Sequence, residues 1–212
     1  MSMLRLPLLF CLLLTLAACG SLHQRETIEF GGDQNAWKTH RAQLEPLDRW
    51  ILQGKIGIRS PQESGSGTLF WLQRRAYYDI RLSGPLGRGA TRIQGDRNST
   101  TLEVAGRPTV SASSAEDLVA EQIGWHLPVD QLLWWVRGLP APDSRSHLSL
   151  NSDSRLARLE QDGWQVNYLA YAEHNGFTLP QRIRLEGHDL QITLVVKDCL
   201  LYTSDAADDL LC

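Results

Sequence analysis

Trp50-Ile-Leu-Gln-Gly-Lys-Ile-Gly-Ile-Arg59, followed by Gly67-Thr-Leu-Phe-Trp71 and Tyr77-Tyr-Asp-Ile-Arg-Leu-Ser83, decides the fold. Leu52, Ile56 and Ile58 share one parity, and polar or small residues hold most of the other. A period of two is the mark of a strand with one face against a core. Thr68 to Gln73 and Tyr77 to Ser83 alternate in the same way. Further along, Thr91–Gly95, Thr100–Ala105, Ser146–Leu150, Leu156–Gln161, Gln165–Ala172, Gln181–Glu186 and Leu190–Val196 read as strands. Asp162-Gly163 is a tight hairpin signal, and Asn175-Gly176 is read as a longer loop. About ten short strands joined by turns imply a curled or closed antiparallel sheet.

Three helices interrupt this pattern. Gln34 to Leu44 places Trp37, Arg41 and Leu44 near one face, and Pro46 limits it. Ser113 opens a second helix, with Glu116 three residues on as a capping-box partner, and Leu118, Val119 and Ile123 continue its stripe. A third begins near Pro128, which suits a first turn. Val129, Leu132, Leu133 and Val136 form its apolar face, and Gly138 suits its end. The fold class is therefore mainly β with some α, and two of the helices are inserted mid-chain.

The two ends of the chain differ from this body. Arg5 is the one charge before the apolar run that ends in Leu16-Ala17-Ala18-Cys19. That run is shorter than the roughly 20 residues that span a bilayer, and has the form of a secretory signal. Leu-Ala-Ala-Cys resembles the lipobox of bacterial lipoproteins. The resemblance implies cleavage after residue 18 and an N-acyl diacylglyceryl group on Cys19. Two or three acyl chains anchor a protein stably, because each buried methylene contributes roughly 0.8 kcal/mol. The residue after the cysteine is Gly20 rather than Asp, which favours the outer membrane. Residues 19–33 read as a lipidated N-terminus and tether, 34–198 as one domain, and 199–212 as a doubtful tail without strand alternation or helix face.

Composition excludes several functions. The formal charge of the whole chain is −3, and setting aside Arg5 and the tail aspartates leaves the body near neutrality. That is not the basic face expected of a nucleic-acid partner. The body has no cysteine between Gly20 and Asp198, and the six histidines show no metal-ligand spacing. Ser66 lies between glycines but forms no nucleophile elbow. Gly84-Pro85-Leu86-Gly87-Arg88-Gly89 runs into a strand rather than a helix, so it is not a phosphate loop. No enzyme activity, metal or diffusible cofactor is expected. Seven tryptophans remain as the compositional oddity, and they suit either a filled core or an apolar cavity lining.

The strand block Trp50–Arg59, Gly67–Trp71 and Tyr78–Gly87 resembles the LolB family of outer-membrane lipoproteins. So does Trp125-x-Leu-Pro-Val-x-x-Leu-x-x-Trp135-x-x-Gly-Leu-Pro140. Gly163–Tyr168, Leu179–Leu185 and Ile192–Val196 complete an ordered match over nearly all of residues 48–198. The resemblance implies a half-barrel of about eleven antiparallel strands, capped by helices over a hydrophobic cavity. It implies acceptance of lipidated cargo proteins from a LolA-like periplasmic carrier and their insertion into the outer membrane. The chain would be a monomer anchored to the outer membrane and facing the periplasm. In such proteins the Leu86 loop exposes a leucine that touches the membrane. Parity and helix face nominate Leu52, Ile56, Ile58, Leu69, Trp71, Ile80, Leu82, Leu132 and Trp135 as acyl-chain contacts. A lipid or glycolipid carrier on the same fold, and a non-catalytic envelope scaffold, are the alternatives.

Overall fold

The structure is a computed structural model that describes residues 27–29, 31–84, 89–142 and 144–201. Twelve strands form one sheet among these residues: β1 (Thr27–Glu29), β2 (Arg49–Arg59), β3 (Ser64–Arg74), β4 (Tyr77–Ser83), β5 (Thr91–Gly95), β6 (Thr100–Val104), β7 (Val110–Ala112), β8 (Ser146–Leu150), β9 (Leu156–Gln161), β10 (Trp164–His174), β11 (Phe177–Gly187) and β12 (Leu190–Leu201). The order across the sheet is β1-β8-β9-β10-β11-β12-β2-β3-β4-β5-β6-β7. From β8 to β7 every neighbour is antiparallel, and the three-residue β1 adds in parallel beside β8. This is the open, curved, mainly antiparallel sheet with few helices that the alternation implied.

Each half is a meander, β2 to β7 and β8 to β12, and the two halves join where β12 returns beside β2. That seam fixes both register and parity, since Ile192, Leu194 and Val196 sit opposite Ile58, Ile56 and Gly54. Beyond Val196 the pairing slips by one residue, so Lys197 bulges and Asp198 meets Gln53. A bulge inserts an unpaired residue and resets which side chains point inward. Cys199 is therefore buried opposite Leu52 although the alternation fails at Lys197-Asp198. The sequence reading placed the end of the body at Asp198, and the strand runs three residues further. The turn at Asn175-Gly176 is also tighter than expected. His174 pairs with Phe177, and both turn residues have positive φ, 50° and 81°. That is the twist-matched two-residue hairpin for which Asn-Gly is suited, so β10 and β11 grow to 11 residues each.

Pro180 sits inside β11, where the sequence reading began the strand one residue later. It is tolerated because β11 pairs with β12 only from Arg182 onward, so no β12 carbonyl needs a donor at Pro180. Two short edge strands, β1 and β7, escaped the sequence reading, since three residues carry no usable period. The region read as a tether thus contains β1, and Asp33 is not loose either. It caps the helix α1 (Gln34–Leu44) by accepting from the Asn35 N–H, while its own N–H donates to Ser154 Oγ.

The other helices, α2 (Ala115–Ile123) and α3 (Val129–Trp135), lie between β7 and β8 in the chain and fill the concave side. The α2 cap is Ser114, whose hydroxyl accepts from the Asp117 N–H. It lies one residue later than the expected Ser113, because β7 holds the chain extended to Ala112. Gly124 then ends α2 with a left-handed φ of 84°. Trp37 and Leu44 of α1, Leu118 and Val119 of α2, and Val129, Leu132 and Trp135 of α3 all join the core inside the sheet.

Candidate functional site

The inner face of β2 changes character along its length. Trp50 and Leu52 are buried, whereas Ile56 and Ile58 are half-buried although they share the same parity. Their partial exposure is to an internal space. A cavity of about 420 Å³ lies between the strands β2 to β6, the start of β12, and the α2–α3 pair. The volume falls in the usual range for small-molecule sites.

The sheet builds the walls by simple alternation. Ile56 and Ile58 come from β2, Leu69 and Trp71 from β3, Ile80 and Leu82 from β4, and Ile93 from β5, while Leu132 comes from α3. Glycine clears the entrance. Gly65 and Gly67 hold the inward parity of β3 opposite Ile58 and Ile56. A Cβ on Gly65 would meet open space, so any larger residue there would protrude into the mouth. A Cβ on Gly67 would instead lie 2.3 Å from the Ser83 carbonyl oxygen, so β3 and β4 approach too closely for a side chain.

Seven of the nine nominated cavity residues are in this wall: Ile56, Ile58, Leu69, Trp71, Ile80, Leu82 and Leu132. Leu52 and Trp135 are not, which corrects the sequence reading. Leu52 lies at the filled end of β2, opposite Trp71 and Cys199. Trp135 faces the other half of the sheet. Its Nε1–H donates to Gln161 Oε1 at 2.9 Å and its ring packs on Trp164 at 6.3 Å. The sequence reading also passed over wall residues. Val119 and Ile123 of α2, Trp125 and Leu127 of the α2–α3 link, and Ile192 and Leu194 of β12 line the same space. The α2 stripe and the β12 alternation were visible, but nothing local showed that they converge.

Cys19 and Leu86 lie outside the described residues. The described residues on either side of 85–88, namely Ser83, Gly84 and Gly89, belong to the cavity lining.

Away from the mouth the interior is filled and hydrogen-bonded. Trp71 Nε1–H donates to Gln73 Oε1, and Gln73 Nε2 donates to the Arg75 carbonyl. Tyr78 and Thr100 share a 2.7 Å hydroxyl bond. Gln161 accepts from Trp135 and the Ala141 N–H and donates to the Ala141 carbonyl. Tyr168 donates to the Trp135 carbonyl. Burial pushes the Tyr168 and Tyr171 hydroxyls upward, so both stay protonated donors. Burial likewise pushes the Cys199 thiol up to about 11 and keeps it neutral.

Arg137 closes this end. It is buried, and burial pushes its pKa down to about 10, against the pull of Asp48 and Glu45. The guanidinium donates to the carbonyls of Leu44, Glu45, Leu47 and Leu133 and lies 4.5 Å over the Trp134 ring. It thereby ties the end of α1 to the end of α3, the helix that roofs the cavity. Among the described residues no group of three His, Cys, Asp or Glu side chains is placed to hold a metal ion.

Comparison with known proteins agrees with this geometry. Residues 48–198 match the family described as outer membrane lipoprotein LolB. The outer-membrane lipoprotein LolB of Stutzerimonas stutzeri is 67% identical over 93% of this chain and 96% of that protein. The protein of the same name from Pseudomonas aeruginosa is 60% identical over 92% of this chain and 95% of that one. A LolA superfamily protein of Nitrosomonas europaea superposes with a TM-score of 0.54 over 80% of this chain and 93% of its own, at 11% identity. That last likeness concerns the fold.

Proposed function

This chain belongs to the LolB family of outer-membrane lipoproteins, and we propose that it works by holding an acyl chain of a lipidated cargo protein in the half-barrel cavity. As a member of that family it is an outer-membrane lipoprotein that receives lipoproteins and inserts them into the membrane. The cavity supports this reading most directly. It is an apolar space of about 420 Å³ whose lining includes Ser83, Gly84 and Gly89, the described residues that flank 85–88.

The energetics set the mechanism. A chain of about 16 carbons carries roughly 13 kcal/mol of burial at 0.8 per methylene. No rearrangement of the mouth could release such a chain into water at a useful rate. Transfer has to run from one apolar container to another, so that the large terms cancel and a modest difference in affinity decides direction. Ile56, Ile58, Leu69, Ile80, Leu82 and Leu132 provide the receiving surface, and a LolA-like periplasmic carrier provides the chain.

Delivery is assigned to Leu86. One leucine contributes roughly 1.5–3 kcal/mol when buried, too little to anchor a domain but enough to favour the pose in which the mouth meets the bilayer. Cys19, lipidated after cleavage behind residue 18, holds the monomer on the periplasmic side of the outer membrane and sets location rather than chemistry. Residues 34–201 then form the working domain.

A form lacking Cys19, mixed with a labelled lipoprotein bound to a LolA-like carrier, tests the reading. The label should move to this protein; retention on the carrier would sink the proposal. Leu86→Glu should leave that uptake unchanged and reduce delivery into vesicles several-fold. Equal delivery by the variant would remove Leu86 from the mechanism.

A further inference from the structure

Among the described residues the cavity lining contains two charged ones, Glu63 and Arg107, and both stand at the mouth. Arg107 lies in the turn between β6 and β7. Its backbone is fixed, because its N–H donates to the Val104 carbonyl across a turn in which Gly106 has φ +80°. The neighbouring Ala105 N–H donates to the Ala90 carbonyl, which ties the turn to the start of β5. The side chain is held as well. One guanidinium nitrogen donates to the Gln122 carbonyl at 2.7 Å, in the last turn of α2, where carbonyls have no helical partner and a cation is favoured. That bond is the one Arg107 side-chain hydrogen bond among the described residues, and Arg107 has no carboxylate partner there. Arginine carries five N–H donors, so a permanently charged donor group remains available beside Ile123 and Val104, both wall residues.

We propose that Arg107 receives the carbonyl oxygens at the head of the bound acyl chain, the ester or amide linkage that joins it to a lipidated cysteine. The inference rests on reading the cavity as an acyl-chain site. A chain inserted into the cavity brings its linkage carbonyl to the mouth, where it loses water. A carbonyl left without a donor there is costly, and the apolar wall supplies none. Arg107 supplies several, and Thr91, a further lining residue that shares the inward parity of Ile93, brings a hydroxyl to the same rim. Glu63 decides the charge of the ligand. Among the described lining residues one acid stands with one base, so a neutral dipolar linkage suits them better than an anionic head group. The collar thus distinguishes the seated chain from one inserted too far or backwards.

The test compares a diacyl lipopeptide with its dialkyl ether analogue, which has the same chains and lacks the ester carbonyls. The protein is the chain from residue 19 onward carrying Cys19→Ser, so that no lipid of its own competes. It should bind the ester form ~10-fold more tightly, the ratio of about one charge-assisted hydrogen bond. Arg107→Leu should abolish that preference while leaving ether binding unchanged, and Arg107→Lys should restore part of it. Because Leu also frees the Gln122 carbonyl, an equal fall for both ligands that Lys reverses for both would mean that Arg107 only seats α2, and would overturn the proposal. Retained ester preference in Arg107→Leu would overturn it too, as would tighter binding of an alkyl phosphate than of the ester lipopeptide. If the unmodified mouth binds neither lipopeptide, the acyl-chain reading itself fails, a different result from loss of selectivity.

Discussion

Within one barrel interior, two regions built from the same strands obey opposite rules. At the start of β2, the end of β9 and the start of β10, the space is filled by Trp50, Trp135 and Trp164. Trp71 and Trp135 donate to Gln73 and Gln161, Tyr168 and Arg137 donate to backbone carbonyls, and among the described residues the buried side-chain nitrogens left without a partner are Trp50 Nε1, His40 Nε2 and His174 Nε2. A few residues along, the same inward positions carry Ile56, Ile58, Gly65, Gly67 and Leu82, which make no specific bonds and leave about 420 Å³ empty. The difference separates stability from function. Large hydrogen-bonded residues hold the sheet in one curvature, and this lets the small and aliphatic ones face a void without collapsing into it. Apolar voids stay poorly hydrated, so the open end is ready for a chain.

Paired truncations probe that division most strongly. Trp135→Ala should cost about 3–5 kcal/mol in denaturant unfolding, the usual loss for a packed tryptophan. Ile56→Ala should cost about 1 kcal/mol, because its side chain already borders empty space, yet it should weaken cargo uptake. Equal costs would mean that the cavity is an ordinary core. Arg137→Met comes next, at about 2 kcal/mol, because it keeps volume but strips donors from four carbonyls. If α1 is the strap that holds α3 over the cavity, this variant should also raise the exchange of α3 backbone amides. Leu132→Trp should sharpen the contrast from the other side. Filling a void rather than overpacking a core, it should change stability by less than about 1 kcal/mol while reducing uptake several-fold.

The smallest effect is expected outside the barrel. Asp79 points away from the interior but is covered by Arg81 and Arg92, which bond to its carboxylate at 2.6 and 2.9 Å. Burial pushes its pKa up, and the hydrogen bonds from Arg92 and Arg81 outweigh that and leave it below the ordinary value. A lowered folded-state pKa contributes stability above ~3.9 and loses it as pH falls through the folded value. Asp79→Asn should therefore flatten the acid limb of the unfolding curve. The change should be only a few tenths of a kcal/mol, because both arginines are a third or more exposed.

Strand parity was legible because it depends on neighbours two residues apart, and each well-formed strand declares its own inner face. What escaped depended on pairing. Lys197 destroyed the alternation that would have carried β12 to Leu201, since a bulge is a property of two strands and not of one. Thr27–Glu29 is a strand only because β8 lies beside it. Asn175-Gly176 carried the right turn residues, but Pro180 obscured the start of the strand that followed.

The antiparallel class, the three helices and the apolar parity of Leu69, Ile80 and Leu82 could be read along the chain, as could the Leu-Ala-Ala-Cys19 motif. Each of these is written in spacing or in a contiguous motif. That Leu52 and Trp135 fill space while Ile56 and Leu132 border it follows from the folded arrangement alone. Local periodicity says which way a side chain points, but not how far away the opposite wall stands. That distance depends on the curvature of the whole sheet and on α2 and α3 folding in from the middle of the chain. The same convergence of distant elements brings Arg107 to the mouth, a position that no stretch of sequence around it announces.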